Sequence, residues 1–197
     1  MKIILASANK GKIREIKEYY DYEVLAYSDV IEPFEIIEDG TTFQENALIK
    51  ARAIYEKLDD FADSFVVLAD DSGISVPALN NEPGIYSARY AGENVTDKDN
   101  LHKLINELKK NNIEKTEAFY TTAMAIVTDT SEEFTVHGWM YGDVIAQAQG
   151  DKGFGYDPMF IPEGFDKTLG ELDSDVKKAL SHRAKALKLT KTILQTL

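Results

Sequence analysis

The chain has 197 residues, with 22 basic and 34 acidic side chains that give a formal charge of −12. That balance argues against a nucleic-acid polymer as partner, because such binding rests on lysine and arginine neutralising phosphates, and against a protein held on anionic lipid. Hydrophobic residues make up 44% of the chain, a normal globular value, and the lack of cysteine excludes disulfides, thiolate catalysis and cysteine-ligated metals.

Residues 3–6 read as a buried strand and residues 12 to about 20 as a helix, with Ile13 and Ile16 at helical spacing. Ser7-Ala8-Asn9-Lys10-Gly11-Lys12 joins them. Strand, turn and helix in that order direct backbone N–H groups and a positive helix end at an anion. The apolar start turns polar by Ser7, too soon for a signal peptide, and no stretch approaches the roughly 20 apolar residues that span a bilayer. The expectation is a soluble, cytoplasmic protein.

A second strand at 24–27 precedes an acidic loop at 28–40. Thr41 and Thr42 cap a helix to about residue 58, with Thr42 and Glu45 at capping-box spacing. Residues 65–69 are all apolar, as in a strand buried on both faces. The strand reads as ending at Asp70-Asp71-Ser72-Gly73, with a short strand at 74–76 beyond it. Residues 77–92 are loop-rich, and Thr96 caps a helix to about 109 with Leu101, Leu104, Ile105 and Leu108 as its apolar stripe.

Residues 118–129 and 132–140 read as a hairpin around Thr130-Ser131, and 142–146 extends the strand system. Three glycines mark 150–158, and a short strand follows at 159–161. Helical sequence resumes near Thr168 and again from Ser174, with Leu180, Leu187 and Leu194 along one side of the last helix. Strands interleaved with helices give an α/β fold in one domain over 1–197, and the central hairpin makes its sheet mixed.

The charge is uneven: +4 over residues 1–17, −22 over 18–175 and +6 over 176–197. Positive termini around an acidic middle suggest an anion site where the two ends meet, although two solvated basic helix faces would give the same count.

Five clusters could carry chemistry. Asp70-Asp71 directly after an apolar strand is costly unless the carboxylates are solvated, paired or metal-bound, and such oxygen ligands suit Mg2+. Read alone, Asp70-Asp71-Ser72-Gly73 equally describes an Asx-type turn. Glu38-Asp39-Gly40 offers another oxygen ligand or is an ordinary acidic loop. Ser7, Asn9 and Lys12 could hold a phosphate, without the Walker A spacing. Gly153-Phe154-Gly155-Tyr156-Asp157-Pro158 could stack an aromatic on a base and offer a carboxylate to its N–H edge. Its simpler reading, a tight turn with Phe154 in the core, is the one that local sequence favours. Ser181-His182-Arg183 presents imidazole and guanidinium donors beside Lys177 and Lys178, while His102 and His137 lack zinc-site spacing.

Together these clusters resemble the inosine/xanthosine triphosphate pyrophosphatase family. The matching stretches are Ser7-Ala-Asn-Lys-Gly-Lys12, Glu38-Asp-Gly-Thr-Thr-Phe-Gln-Glu-Asn-Ala47 with Lys50-Ala-Arg52, Ala69-Asp-Asp-Ser-Gly73, Pro83-Gly-Ile-Tyr-Ser-Ala-Arg-Tyr-Ala-Gly92, Gly153-Phe-Gly-Tyr-Asp-Pro158 and Ser181-His-Arg183. They keep the family's order, with Ala8 where a glycine is common and a loose match over 165–174.

The resemblance implies an elongated, two-lobed fold with a central cleft, a homodimer, and Mg2+-dependent hydrolysis of aberrant purine nucleoside triphosphates to the monophosphate and pyrophosphate. It implies Asp71 as general base and metal ligand and Glu38 as second ligand. Substrate contacts are expected from Ser7, Ala8, Asn9, Lys10, Gly11, Lys12, Lys50 and Ser72. Phe154, Gly155, Tyr156, Asp157, Lys177, His182 and Arg183 are expected to form the nucleotide pocket, with His182 and Arg183 donating to a 6-oxo group. A pyrophosphatase for modified pyrimidine or methylated nucleotides, and a nucleotide-binding module without turnover, are the alternatives.

Overall fold

The computed structural model describes residues 1–7, 9–59 and 61–197. Its elements in chain order are β1 (Lys2–Leu5), α1 (Lys10–Tyr19), β2 (Glu23–Ala26), α2 (Phe43–Tyr55), β3 (Phe65–Val76), β4 (Glu82–Pro83), α3 (Asp97–Lys110), β5 (Lys115–Thr128), β6 (Glu133–Ile145), β7 (Phe160–Pro162), α4 (Ser174–Leu180) and α5 (His182–Leu194). The sheet order is β2-β1-β3-β5-β6-β7, with β4 paired to β3. β1 lies parallel to both β2 and β3, whereas β3–β4 and β6–β7 are antiparallel. The expected mixed α/β sheet is therefore present.

The chain divides into two compact units. The first comprises Met1–Asp71, Thr122–His137 and Ala186–Leu197, and the second Ser72–Thr121 and Gly138–Lys185.

In the first unit, alternation along the strands sorts side chains onto two faces. Ile4, Phe65, Val67, Ala69, Ala123 and Ala125 pack with Ala47, Ala51 and Ile54 of α2. Ile3, Leu5, Val66, Leu68, Met124 and Ile126 pack with Ile16 of α1 and Ala186, Leu187 and Leu194 of α5. Strands covered on both faces have no polar side to show, which explains the continuous apolar run at 65–69. In the second unit the stripe Leu101, Leu104, Ile105 and Leu108 of α3 packs with Ile74, Val76, Tyr120, Met140 and Val144.

Local signals set several boundaries. Thr42 accepts from the Glu45 N–H at 3.1 Å while Glu45 reaches back to the Thr42 N–H at 3.2 Å, the expected capping box of α2. Thr96 and Asp99 do the same for α3.

Other expectations need correction. Asp70-Asp71-Ser72-Gly73 does not end a strand; β3 runs through it without a break. Asp70 inside the strand is matched by Lys12, and Gly73 leaves the room that Gly84 and Ser87 occupy. Residues 142–145 do extend the strand system, as the end of β6. No helix forms near Thr168, whose N–H and hydroxyl instead bond to Glu171 in a turn. The last helix is two helices, because Ser181 between α4 and α5 has extended backbone (φ −61°, ψ 145°). Among the described residues no helix is long and apolar enough to cross a membrane.

Candidate active site

The first unit gathers most of the expected phosphate and metal residues. β1 ends at Leu5, ahead of Ser7 and Asn9, and α1 begins at Lys10. Asn9 is the N-cap: its Oδ1 accepts from the N–H groups of Gly11 at 2.9 Å and Lys12 at 3.1 Å. The Asn9 N–H in turn donates to Ser7 Oγ at 3.2 Å. Ala8 and the Lys10 side chain fall outside what the structure describes.

One turn into α1, the Lys12 ammonium sits 2.9 Å from Oδ2 of Asp70, which is only 2% exposed. A buried carboxylate is tolerated where a cation answers it. Lys50, projecting from α2, lies 2.7 Å from Glu38 Oε2 and 3.5 Å from Asp71 Oδ1. One ammonium thus faces both carboxylates expected to hold metal. The second oxygen of Asp71 accepts from the Asn46 side-chain amide at 3.2 Å. Ser7, Asn9, Lys12, Glu38, Lys50 and Asp70 line a cavity of about 290 Å³ within this unit.

Electrostatics in the cluster follow from burial. Desolvation raises the Asp71 carboxyl above its ordinary value, and the Glu38 charge adds to this while Lys50, Asn46 and Lys12 oppose it. Burial alone would lower the Lys50 ammonium, but Asp71, Asp70 and Glu38 outweigh it and its pKa is raised. A base with a raised pKa, beside cations that can meet phosphate, is suited to activating water for attack on a phosphoanhydride.

The second unit holds the remaining candidates. Phe154 lies between Gly153 (φ +79°) and Gly155 (φ +60°), the left-handed backbone that glycine adopts without strain. Phe154 is 48% exposed, which overturns the local reading that put it in the core. The core residue of this turn is Tyr156, whose hydroxyl donates to the Ser87 carbonyl at 2.7 Å. Asp157 closes the turn by accepting from the Phe154 N–H at 2.9 Å and from Lys177 at 2.5 Å. That Oδ2 oxygen is committed to two donors of the protein itself. The Lys177 ammonium also lies 4.3 Å from the Phe154 ring centroid. The Gly155 N–H donates to Asp97 at 3.2 Å.

His182 stacks on Tyr120, with centroids 4.8 Å apart and planes at 6°. Arg183 is 3% exposed and donates to Ser72 Oγ at 3.2 Å.

Three supporting residues lie outside the set of contacts that the resemblance implies. Asp70 directly follows the apolar run, but its partnership with Lys12 depends on tertiary structure. Asn46 lies in the Glu38–Ala47 stretch, where a polar residue among the apolar positions of a helix is the signal for it. Tyr120 offers no local signal that distinguishes it from its β5 neighbour Phe119.

A sequence profile described as the Ham1 family matches residues 3–193. A protein of Nautilia profundicola named dITP/XTP pyrophosphatase is 62% identical over 198 residues, covering 100% of this chain and 99% of that relative. The solved structure of the Staphylococcus aureus Ham1 protein superposes with a TM-score of 0.87 at 38% identity, covering 100% of this chain and 99% of the other. A HAM1 protein from Coxiella burnetii gives 0.89 at 34% identity, with 100% of both chains covered. With sequence matching end to end and the fold shared over the full length, the chain belongs to the Ham1 family.

Proposed function

We propose that this protein hydrolyses dITP, XTP and ITP to the nucleoside monophosphate and pyrophosphate, with Mg2+ as its metal. The observation that carries the reading is the convergence of Lys12, Lys50, Glu38 and Asp71 in one unit, in a chain whose 62%-identical relative is named for dITP and XTP. Phosphoanhydride hydrolysis needs charge neutralisation on the transferring group and a positioned nucleophile. Lys12 and Lys50 supply cations, with Ser7, Asn9 and Ser72 as further triphosphate contacts. Asp71 accepts the proton of the attacking water.

Glu38 and Asp71 are the residues that would hold Mg2+. Their carboxylates already face one cation, the Lys50 ammonium. Among the described residues no group of three or more histidines or acids converges on a metal position. That donor set suits a cation that uses one or two carboxylates and completes its shell with water and substrate phosphate. When bound, Mg2+ supplies positive charge to the phosphate oxygens.

Phe154 offers its exposed ring to the purine. His182 and Arg183 donate to a 6-oxo group, and adenine presents a donor there instead. The protein works as a cytoplasmic homodimer, a state that light scattering on the purified protein checks.

The test is a comparison of kcat/KM with Mg2+ for ITP, dITP, XTP, ATP, GTP and TTP. The reading expects the first three to exceed ATP by at least about 10-fold. A preference for TTP or modified pyrimidines replaces it with the pyrimidine reading. Binding without turnover identifies a nucleotide-binding module.

A further inference from the structure

Asn46 lies one turn inside α2, is 1% exposed, and has both ends of its side chain in use. Its Oδ1 accepts from the Gly40 N–H at 2.9 Å, and its Nδ2 donates to Asp71 Oδ2 at 3.2 Å. The amide orientation is chemically determined. The Gly40 N–H can only donate, so the oxygen must face it, and the NH2 group is left for the carboxylate.

The fit around Gly40 is tight. A Cβ there would come 2.6 Å from Asn46 Oδ1, 2.8 Å from Glu45 Cβ and 3.0 Å from the Asn46 backbone nitrogen. Gly40 follows Glu38 by two residues, so this contact fixes the loop that carries Glu38.

We propose that Asn46 is a positioning residue for catalysis, bracing the Glu38–Gly40 loop against Asp71 and fixing the Asp71 carboxylate toward Lys50. Each oxygen of that carboxylate then has its own donor: Oδ2 faces Asn46, and Oδ1 faces the Lys50 ammonium at 3.5 Å. Holding one oxygen orients the other. An amide does this without charge, so it orients Asp71 without adding a second neutralising cation beside it. Aspartate at 46 would keep the acceptor for Gly40 but turn an oxygen toward Asp71. Alanine would remove both links.

The inference rests on Asp71 having the role given to it above, and the experiment separates the two claims. Pyrophosphate release from ITP, ITP affinity and melting temperature are measured for wild type, Asn46→Asp and Asn46→Ala, and crystal structures of wild type and Asn46→Ala are compared. Both variants are expected to lose kcat by about 100-fold, the scale of a misplaced reacting group, with KM and ITP affinity within about threefold. The Asp71 carboxylate of Asn46→Ala is expected to leave its wild-type rotamer.

An unchanged kcat in folded variants, or a loss confined to KM, would overturn the proposal. So would an Asp71 rotamer identical in the two crystal structures, a comparison that needs no turnover and stands even where Asn46→Asp fails to fold. Wild-type protein that cleaves no nucleotide would defeat the functional reading instead, and the crystal comparison would still decide whether Asn46 positions Asp71.

Discussion

The Lys50 ammonium lies 2.7 Å from Glu38 Oε2, on side chains only 13% and 30% exposed. A lysine thus balances a carboxylate assigned to metal binding, and it also faces Asp71. Removing one partner of a mostly buried ion pair leaves the other charge uncompensated. Lys50→Met is therefore expected to lower the melting temperature of the metal-free protein at neutral pH. Added Mg2+ should raise the melting temperature of the variant more than that of wild type, because the divalent ion replaces the lost charge. Melting curves with and without Mg2+ check this, and equal Mg2+ shifts would detach Glu38 and Asp71 from metal binding.

Asp71→Asn keeps the shape of the side chain and removes its basicity. Turnover of ITP is expected to fall by at least about 1,000-fold, within the range attributed to positioned acid–base groups. ITP binding, measured by calorimetry, should persist. Full activity in the variant would remove Asp71 as the base.

The exposed Phe154 ring makes its substitution a clean test of base stacking. A stacked base contributes about 1–3 kcal/mol. Phe154→Ala is therefore expected to weaken ITP binding by about 5- to 150-fold with little change in melting temperature. Arg183→Ala differs, because Arg183 is buried and bonded to Ser72. It should lower the ITP-over-ATP preference and the melting temperature together. Loss of activity toward every nucleotide in equal proportion, in folded protein, would reassign it to phosphate binding.

Asp157 carries a pH dependence. Burial raises its carboxyl above the ordinary 3.8, against the opposing pull of Lys177. A carboxyl raised in the folded state binds more protons there than in the unfolded chain. Its contribution to stability therefore falls as pH rises from about the unfolded value to the folded one, and is level above that. Lys177→Met removes the largest opposing influence, so the Asp157 pKa should rise further. A carboxyl-carbon NMR titration of the two proteins measures it, and an unchanged value would contradict the assigned ion pair.

Where sequence and structure agree, the cause is local. The Thr42–Glu45 and Thr96–Asp99 boxes need only neighbouring residues, and the α3 stripe needs only helical spacing. The continuity of β3 was hidden because the partner that makes Asp70 tolerable, Lys12, sits on another element. The Gly153–Pro158 turn shows the same limit. Two aromatics flank Gly155, and only tertiary packing decides that Tyr156 is buried and Phe154 exposed. The break at Ser181 falls within a run of good helix formers and carries no proline or glycine to mark it. The candidate site was legible as a set of motifs, whereas the links that orient it, through Asp70, Asn46 and Tyr120, come from packing.

The proposed cleavage releases the two outer phosphates as one unit. Phosphorus NMR of dITP incubated with the protein and Mg2+ tests it most directly. The expected first products are dIMP and pyrophosphate. Orthophosphate and dIDP appearing first would contradict it.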